Sequence, residues 1–284
     1  MAVDAKGNRQ ATPASAQAST TVDTAGPGAF QMTAPAAYLS ASVTLALSST
    51  PTDATSGVAT VTYQHRRSGA SSWSTACSVA AAPWSCRWST SASTTPDGVY
   101  ELRAVASDRA GNTTVASNTP LTRTVKNTKP TPRSIGTANV TGGTSGRINS
   151  GDSATFTYSD TMASGSILAG WTGSAVAVQV RITAGAAKKN DTLTIWRANG
   201  SATIALANPL DLGGKYVTAN TVLGGTMVQS GAAVTVTLGA LQSGGLQATR
   251  VTGGTLVWSP DTRATDLAGN TTTNTTVSAA GPAF

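Results

Sequence analysis

The chain has 284 residues, of which 11% are charged and 5% aromatic, and its formal net charge is +7. The length suffices for two domains. The charge is spread thinly and no segment approaches the roughly 20 apolar residues of a membrane span, so neither a nucleic acid nor a membrane is expected as partner. Glutamate, a residue that commonly fills exposed helix positions, occurs once, whereas Thr and Val are abundant, and this composition predicts an all-β fold.

A short phrase occurs at residues 2–8, 104–112 and 263–270, each time containing Asp-x-x-Gly-Asn. The Asp side chain can bond the backbone two residues on, and Gly-Asn accepts left-handed dihedral angles. Each copy is therefore predicted to be a tight turn between two late, antiparallel strands of a domain. The turn residues predicted in the last two copies are Asp108, Gly111, Asn112, Asp266, Gly269 and Asn270.

A second phrase, a strand that ends in a polar residue before a proline, follows the first two copies at residues 21–27 and 124–130. Proline cannot continue a β-ladder, so we place domain ends near residues 22, 126 and 280. Residues 23–127 and 128–284 then form two domains. Residues 1–22 are either the orphan C-terminal hairpin of a preceding domain or a strand exchanged with another molecule.

Within residues 23–127, apolar residues alternate with polar ones, as at Val43, Leu45 and Leu47, which predicts strands separated by turns. A further turn is predicted at Asp97 and Gly98. Tyr100 follows it, in the manner of a tyrosine corner, in which a buried hydroxyl bonds the backbone upstream.

The two cysteines, Cys77 and Cys86, flank a segment with Pro83, and we expect them to face each other across a hairpin. A disulfide there would stabilise the fold by about 2–3 kcal/mol. A closed zinc site needs four ligands, which two cysteines and one histidine do not supply. A disulfide implies an oxidising compartment, so an extracellular or cell-surface location is expected. The opening residues lack the apolar core of a signal peptide, so none is expected in this chain.

Residues 57–114 contain a Trp73 strand, the cysteine pair, the Asp-Gly-x-Tyr turn and an Asp-x-x-Gly-Asn turn. In these features the segment resembles the bacterial Ig-like domain repeats of Gram-positive secreted and cell-surface proteins. The resemblance implies an Ig-like sandwich outside the cell. It does not name a ligand, because such domains serve as spacers, adhesins and appendages of secreted enzymes alike.

Residues 128–284 also alternate strongly, and residues 150–173 resemble the start of Ig-like domains in surface-layer and related proteins. At about 155 residues this part exceeds a minimal Ig domain, so extra strands or long loops are expected. The fold class predicted for the chain is all-β, with tandem immunoglobulin-like β-sandwich domains of which the second is enlarged.

Catalytic groups are scarce. His65 is the only histidine, and the adjacent Arg66 and Arg67 would disfavour its protonated form, which suits a general base poorly. Most aspartates fall in turn phrases, where turn chemistry accounts for them. We therefore expect the protein not to be an enzyme.

Two kinds of ligand site remain as hypotheses. Calcium could bind where Asp23 meets Asp108, or where Asp152 meets Asp266, because Ca²⁺ prefers carboxylate and carbonyl ligands. No other cofactor is expected. Trp84 and Trp88 lie on one strand face by period two and could stack sugar rings, although packing over the disulfide and the core is the favoured interpretation.

These observations predict a non-enzymatic extracellular structural or adhesive module of a bacterial surface fibre or multidomain adhesin, with polymerisation by strand exchange as one version. The alternative is a carbohydrate-binding accessory domain of a secreted hydrolase. The expected partner is a protein or a second copy that pairs with exposed strands, with a surface glycan as a further candidate.

Overall fold

The computed structural model describes residues 2–12, 15 and 18–284. Its contacts divide the chain into two compact units. The first comprises Met1–Ala37, Ala41–Ser89 and Gly98–Thr124, and the second comprises Tyr38–Ser40, Thr90–Asp97 and Val125–Phe284. Of the segment 1–22 predicted to be an orphan hairpin, residues 1, 13, 14, 16 and 17 lie outside the described residues.

Among the described residues, ten strands lie before residue 126. They are β1 (Gln31–Met32), β2 (Tyr38–Leu39), β3 (Ser42–Leu45), β4 (Leu47–Ser49), β5 (Val58–Arg67), β6 (Ser74–Val79), β7 (Cys86–Ser89), β8 (Gly98–Asp108), β9 (Thr113–Val115) and β10 (Leu121–Val125).

The main sheet of the first unit has the strand order β10-β8-β5-β6, and β9 also pairs with β8. Two further ladders, β1–β4 and β3–β7, lie outside this sheet. Alternate residues of β8 are buried, among them Leu102 and Ala104, and they face the core together with Val61 and Tyr63 of β5. This alternation is the pattern expected of a strand with one face on a core.

The disulfide between Cys77 and Cys86 is confirmed, with the two Cα atoms 6.4 Å apart. The predicted hairpin between the cysteines is wrong, because β6 pairs with β5 whereas β7 pairs with β3. The short segment between β6 and β7 crosses from the main sheet to the β3–β7 ladder. The disulfide therefore links two sheets of the sandwich, which is a stronger constraint on their packing than a bridge within one hairpin.

Besides β2, the second unit contains nine strands and one short helix. They are β11 (Pro132–Ala138), β12 (Ser153–Tyr158), α1 (Ser164–Ile167), β13 (Val176–Thr183), β14 (Thr192–Arg197), β15 (Leu210–Asp211), β16 (Val217–Ser230), β17 (Ala233–Leu246), β18 (Thr255–Trp258) and β19 (Val277–Ala280).

These nine strands form one sheet in the order β11-β12-β17-β16-β13-β14-β15-β18-β19. The sheet curls so that β19 lies near β11, and it encloses a single large core. Trp258 is fully buried in that core between Phe156 and Tyr158. Apart from α1 the chain is all-β, and its multiple sheets are consistent with β-sandwich domains of which the second is enlarged.

Candidate functional site

The three Asp-x-x-Gly-Asn turns have the same geometry. In the first copy, the Asn8 backbone N–H and side-chain amide donate to the two carboxylate oxygens of Asp4 at 2.9 and 2.8 Å. The corresponding distances are 2.8 and 2.8 Å in the second copy and 2.9 and 3.0 Å in the third. The glycine takes a positive φ in every copy, whereas the Asn does not. The Asn is thus needed for its side chain and not for a left-handed backbone.

In the second and third copies the same Asn side chain reaches a further segment. Asn112 Nδ2 donates to the carbonyl oxygens of Asp23 and Ala25, both at 3.2 Å, and Asn270 Nδ2 donates to that of Lys126 at 3.0 Å. We call residues 22–25 and 125–128 the leading segments of the first and second units. Each unit is therefore fastened at its start by the turn near its end, a contact that the sequence analysis missed.

Asp23, Asp53 and Asp108 form a cluster in which one carboxylate oxygen from each lies within 4.8 Å of the other two. Asp108 belongs to the turn and is only 3% exposed, while the other two are half-buried. The meeting of Asp23 with Asp108 was expected from the sequence. Asp53, in the loop between β4 and β5, was not singled out.

Asp53 is held by backbone N–H groups. Its Oδ1 accepts hydrogen bonds from Gly57, Ser56 and Thr55 at 2.7, 2.8 and 3.1 Å. These bonds, that from Gly57 foremost, lower the pKa of the Asp53 carboxyl, so the group is ionised at neutral pH. Its charge is thus fixed beside the other two carboxylates.

No ion pair among the described residues includes any of the three carboxylates. Asp23 Oδ2 is buried and has no hydrogen-bond partner among residues 2–12, 15 and 18–284, while Asp23 Oδ1 accepts a hydrogen bond from the Ala25 N–H at 3.1 Å. A buried anionic oxygen without a donor is costly. Carboxylate and carbonyl oxygens are the ligands that hard divalent cations prefer, so the residues present suit such an ion.

The other predicted calcium pair is not formed. The Asp152 carboxylate accepts hydrogen bonds from the backbone N–H groups of Val140 and Asn149, at 2.8 and 2.7 Å. Asp266 is bound by Asn270, and across the described residues these two aspartates share no cluster of candidate metal ligands. Asp152 is a structural cap, which is why its carboxylate is fully buried.

The turn predicted at Asp97 has a different partner from those of the Asp-x-x-Gly-Asn turns. The Asp97 carboxylate accepts hydrogen bonds from the backbone N–H groups of Asn127 and Thr128, at 2.7 and 3.2 Å. Desolvation acts to raise the pKa of Asp97, but these hydrogen bonds outweigh it and the pKa is lowered. Asp97 therefore caps the leading segment of the second unit, and Gly98 begins β8.

Of the two tryptophans considered for sugar stacking, Trp88 is excluded, because it is 3% exposed and packs on His65 and Tyr100 with ring centroids 4.7 and 6.4 Å away. The period-two extrapolation fails because Trp84 precedes β7 and does not belong to the strand. Trp84 is half-buried and lines an open hollow with Ala46 and Leu47. It is the one residue that still supports the glycan alternative.

His65 is half-buried and packs against the rings of Trp88 and Tyr100. Burial lowers the pKa of its imidazole. The neighbouring arginines were expected from the sequence to have this effect, but desolvation is the cause. Arg66 instead stacks on Trp73, with Arg103 also stacked on that ring, at 4.4 and 4.2 Å from the ring centroid. The arginines thus cover the Trp73 ring and leave little of it for a sugar.

No family model matches this chain. No curated protein matches it either. Among solved structures, the chain is similar to the FN1–FN3 domains of chicken CNTN1, with 13% identity over 82% of this chain and 76% of that one. The TM-score is 0.29, which is too low to carry an argument about fold or function. Along the described chain, no helix combines the length and apolarity needed to cross a membrane.

Proposed function

We propose that this chain is a non-enzymatic, extracellular structural or adhesive module built of tandem Ig-like domains from a bacterial surface assembly. The observation that carries the proposal is the Asp-x-x-Gly-Asn turn near the end of each unit, which we call the closing turn. It recurs three times with one geometry, and in both units it is fastened to the leading segment. A repeated self-closing unit is the expected device of a chain that is extended by adding domains.

The location and the lack of enzymatic activity have separate support. A disulfide that links two sheets suits an oxidising compartment. His65 is packed against aromatic rings, and the carboxylates of Asp97, Asp152 and Asp191 accept backbone hydrogen bonds. Groups that are engaged in this way serve the fold and are poor candidates for acid–base catalysis.

We further propose that residues 2–10 are the closing hairpin of a neighbouring domain. Val3 and Arg9 pair as a bridge, and within the described residues the Asn8 side-chain amide donates only to Asp4. The matching positions in the two units are already filled by Asn112 and Asn270. A neighbouring domain is therefore a better partner for this hairpin than either unit of a second copy.

The experiment compares the full chain with a variant that lacks residues 1–22, by light scattering and electron microscopy. We expect both proteins to be monomeric, with the same thermal unfolding curve, because the hairpin completes neither of the units in this chain. A matched control is Asn8→Ala, which perturbs only the hairpin turn. Filaments formed by the full chain and lost on deletion would overturn the proposal in favour of polymerisation by strand exchange.

A further inference from the structure

The aspartate cluster of the first unit has a counterpart in the second. Asp23 and Lys126 hold the same position in the repeated phrase, and each offers its carbonyl to the Asn of the closing turn. Asp108 and Asp266 begin the matching turns. The same position of the phrase is therefore an aspartate, Asp23, in the first unit and a lysine, Lys126, in the second.

Asp53 of the first unit corresponds to Asp160 of the second, which completes two equivalent sets of three residues. Asp53 follows Thr52, whose carbonyl accepts the N–H of Gly28 at 2.7 Å. Asp160 follows Ser159, which exchanges hydrogen bonds with Thr131. Gly28 and Thr131 each come directly after the proline of the repeated phrase, so Asp53 and Asp160 each follow a residue that is hydrogen-bonded to that position. The direction of the backbone bond differs, because Gly28 donates to the Thr52 carbonyl whereas the Thr131 carbonyl accepts from the Ser159 N–H.

The second unit balances its acids with an internal cation. Lys126 Nζ lies 2.8 Å from Asp160 Oδ1. Desolvation raises the pKa of Asp160, but the Lys126 ammonium and the Ser159 hydroxyl outweigh it and the pKa is lowered. Lys126, Asp160 and Asp266 together carry a charge of −1, or −2 when the neighbouring Asp97 is included, whereas the three carboxylates of the first set give −3. The position of the ammonium in one unit is thus taken by a third acid in the other.

We propose that the first unit binds a divalent cation, Ca²⁺, between Asp23, Asp53 and Asp108, where it replaces the ammonium that the second unit carries on Lys126. Two independent observations point to a cation. Asp23 Oδ2 is buried and has no hydrogen-bond donor within the described part of the chain, and the corresponding site of the second unit contains a cationic group. Ca²⁺ suits the site because it accepts irregular sets of oxygen ligands and water.

The ion would join three segments that lie far apart in the sequence. Asp23 belongs to the leading segment, Asp53 to the β4–β5 loop and Asp108 to the closing turn. The bound ion would therefore strengthen the attachment that Asn112 already makes to the leading segment. Calcium would stiffen the chain where residues 18–22 enter the first unit. An affinity of about 0.1–1 mM is typical of extracellular modules.

The test is calorimetric titration of the full chain with CaCl₂, together with thermal unfolding in CaCl₂ and in EDTA. We expect one ion to bind and the first unit to unfold several degrees higher with calcium, because a ligand that binds only the native state stabilises it. Asp23→Lys copies the second unit, and we expect it to abolish binding and make unfolding insensitive to calcium. Asp53→Asn keeps an oxygen for the backbone N–H groups, and we expect binding at least tenfold weaker.

Asp4→Asn is the matched control, since it removes one negative charge from the first turn, and binding should be unchanged. The proposal is overturned if the wild-type chain binds no calcium at about 10 mM, well above the expected dissociation constant. It is equally overturned if folded Asp23→Lys and Asp53→Asn bind as tightly as the wild type. Circular dichroism establishes folding, and Asp53→Asn decides the matter should Asp23→Lys fail to fold.

Discussion

Replacing Asp191 with alanine is expected to lower the free energy of unfolding of the second unit by about 3–5 kcal/mol. The carboxylate is fully buried and accepts hydrogen bonds from the N–H groups of Gly185, Tyr216 and Val217, at 2.9, 2.6 and 2.9 Å. Alanine would leave these three donors without an acceptor, and each such loss costs about 1–3 kcal/mol. Urea denaturation measures the effect.

Asp191→Asn is the matched control, because the amide keeps the shape of the side chain and one of its two acceptor oxygens. We expect it to cost less than the alanine variant. The interpretation fails if the unfolding free energy of Asp191→Ala lies within about 1 kcal/mol of that of the wild type, since the loss of acceptors for three N–H groups should destabilise the unit by more.

The second large effect is expected for Trp258→Ala, at about 3–5 kcal/mol of the unfolding free energy of the second unit. The Trp258 ring is fully buried, with centroids 5.3 and 4.9 Å from those of Phe156 and Tyr158 in edge-to-face geometry. Its indole N–H donates to the Leu206 carbonyl at 3.0 Å. Alanine removes these contacts and leaves a cavity.

Trp196→Ala provides the comparison for Trp258→Ala in the same denaturation experiment. Trp196 is half-buried, and the Arg181 guanidinium covers it at 3.9 Å from the ring centroid. We expect this variant to cost about 1 kcal/mol, the range of a cation–π contact at the surface. Equal losses for the two variants would contradict the assignment of Trp258 to the centre of the core.

The sequence predicted best what depends on local pattern. The apolar alternation noted within residues 23–127 and 128–284 corresponds to strands with one buried face, such as β8 and β17, because such a face imposes a period of two. The Asp-x-x-Gly-Asn phrase predicted turns that the structure describes in all three copies. Local pattern does not state which strands pair, and for this reason the cysteines were assigned to one hairpin although they lie in two sheets.

The proposed cation site was likewise predicted only in part from the sequence. Asp23 and Asp108 were expected to meet because both lie near a predicted domain end, but Asp53 lies in a loop without a repeat signature. Its counterpart Asp160 could not be matched by sequence, since the loops that follow the two acids differ in length. The substitution of lysine for aspartate in the second phrase was visible in the sequence. Its meaning depends on the Lys126–Asp160 ion pair, which only the fold reveals.

The central claim is that each closing turn fastens the leading segment of its own unit. Hydrogen–deuterium exchange of Asn112→Ala and Asn270→Ala tests it most directly. We predict exchange about tenfold faster at the hydrogen-bonded Ala25 amide in the first variant and at the hydrogen-bonded amides of residues 126–128 in the second, as expected for the loss of about 1.4 kcal/mol of local stability. Asn8→Ala should change neither segment. Unchanged protection at both leading segments, or faster exchange at both in either single variant, would contradict the account.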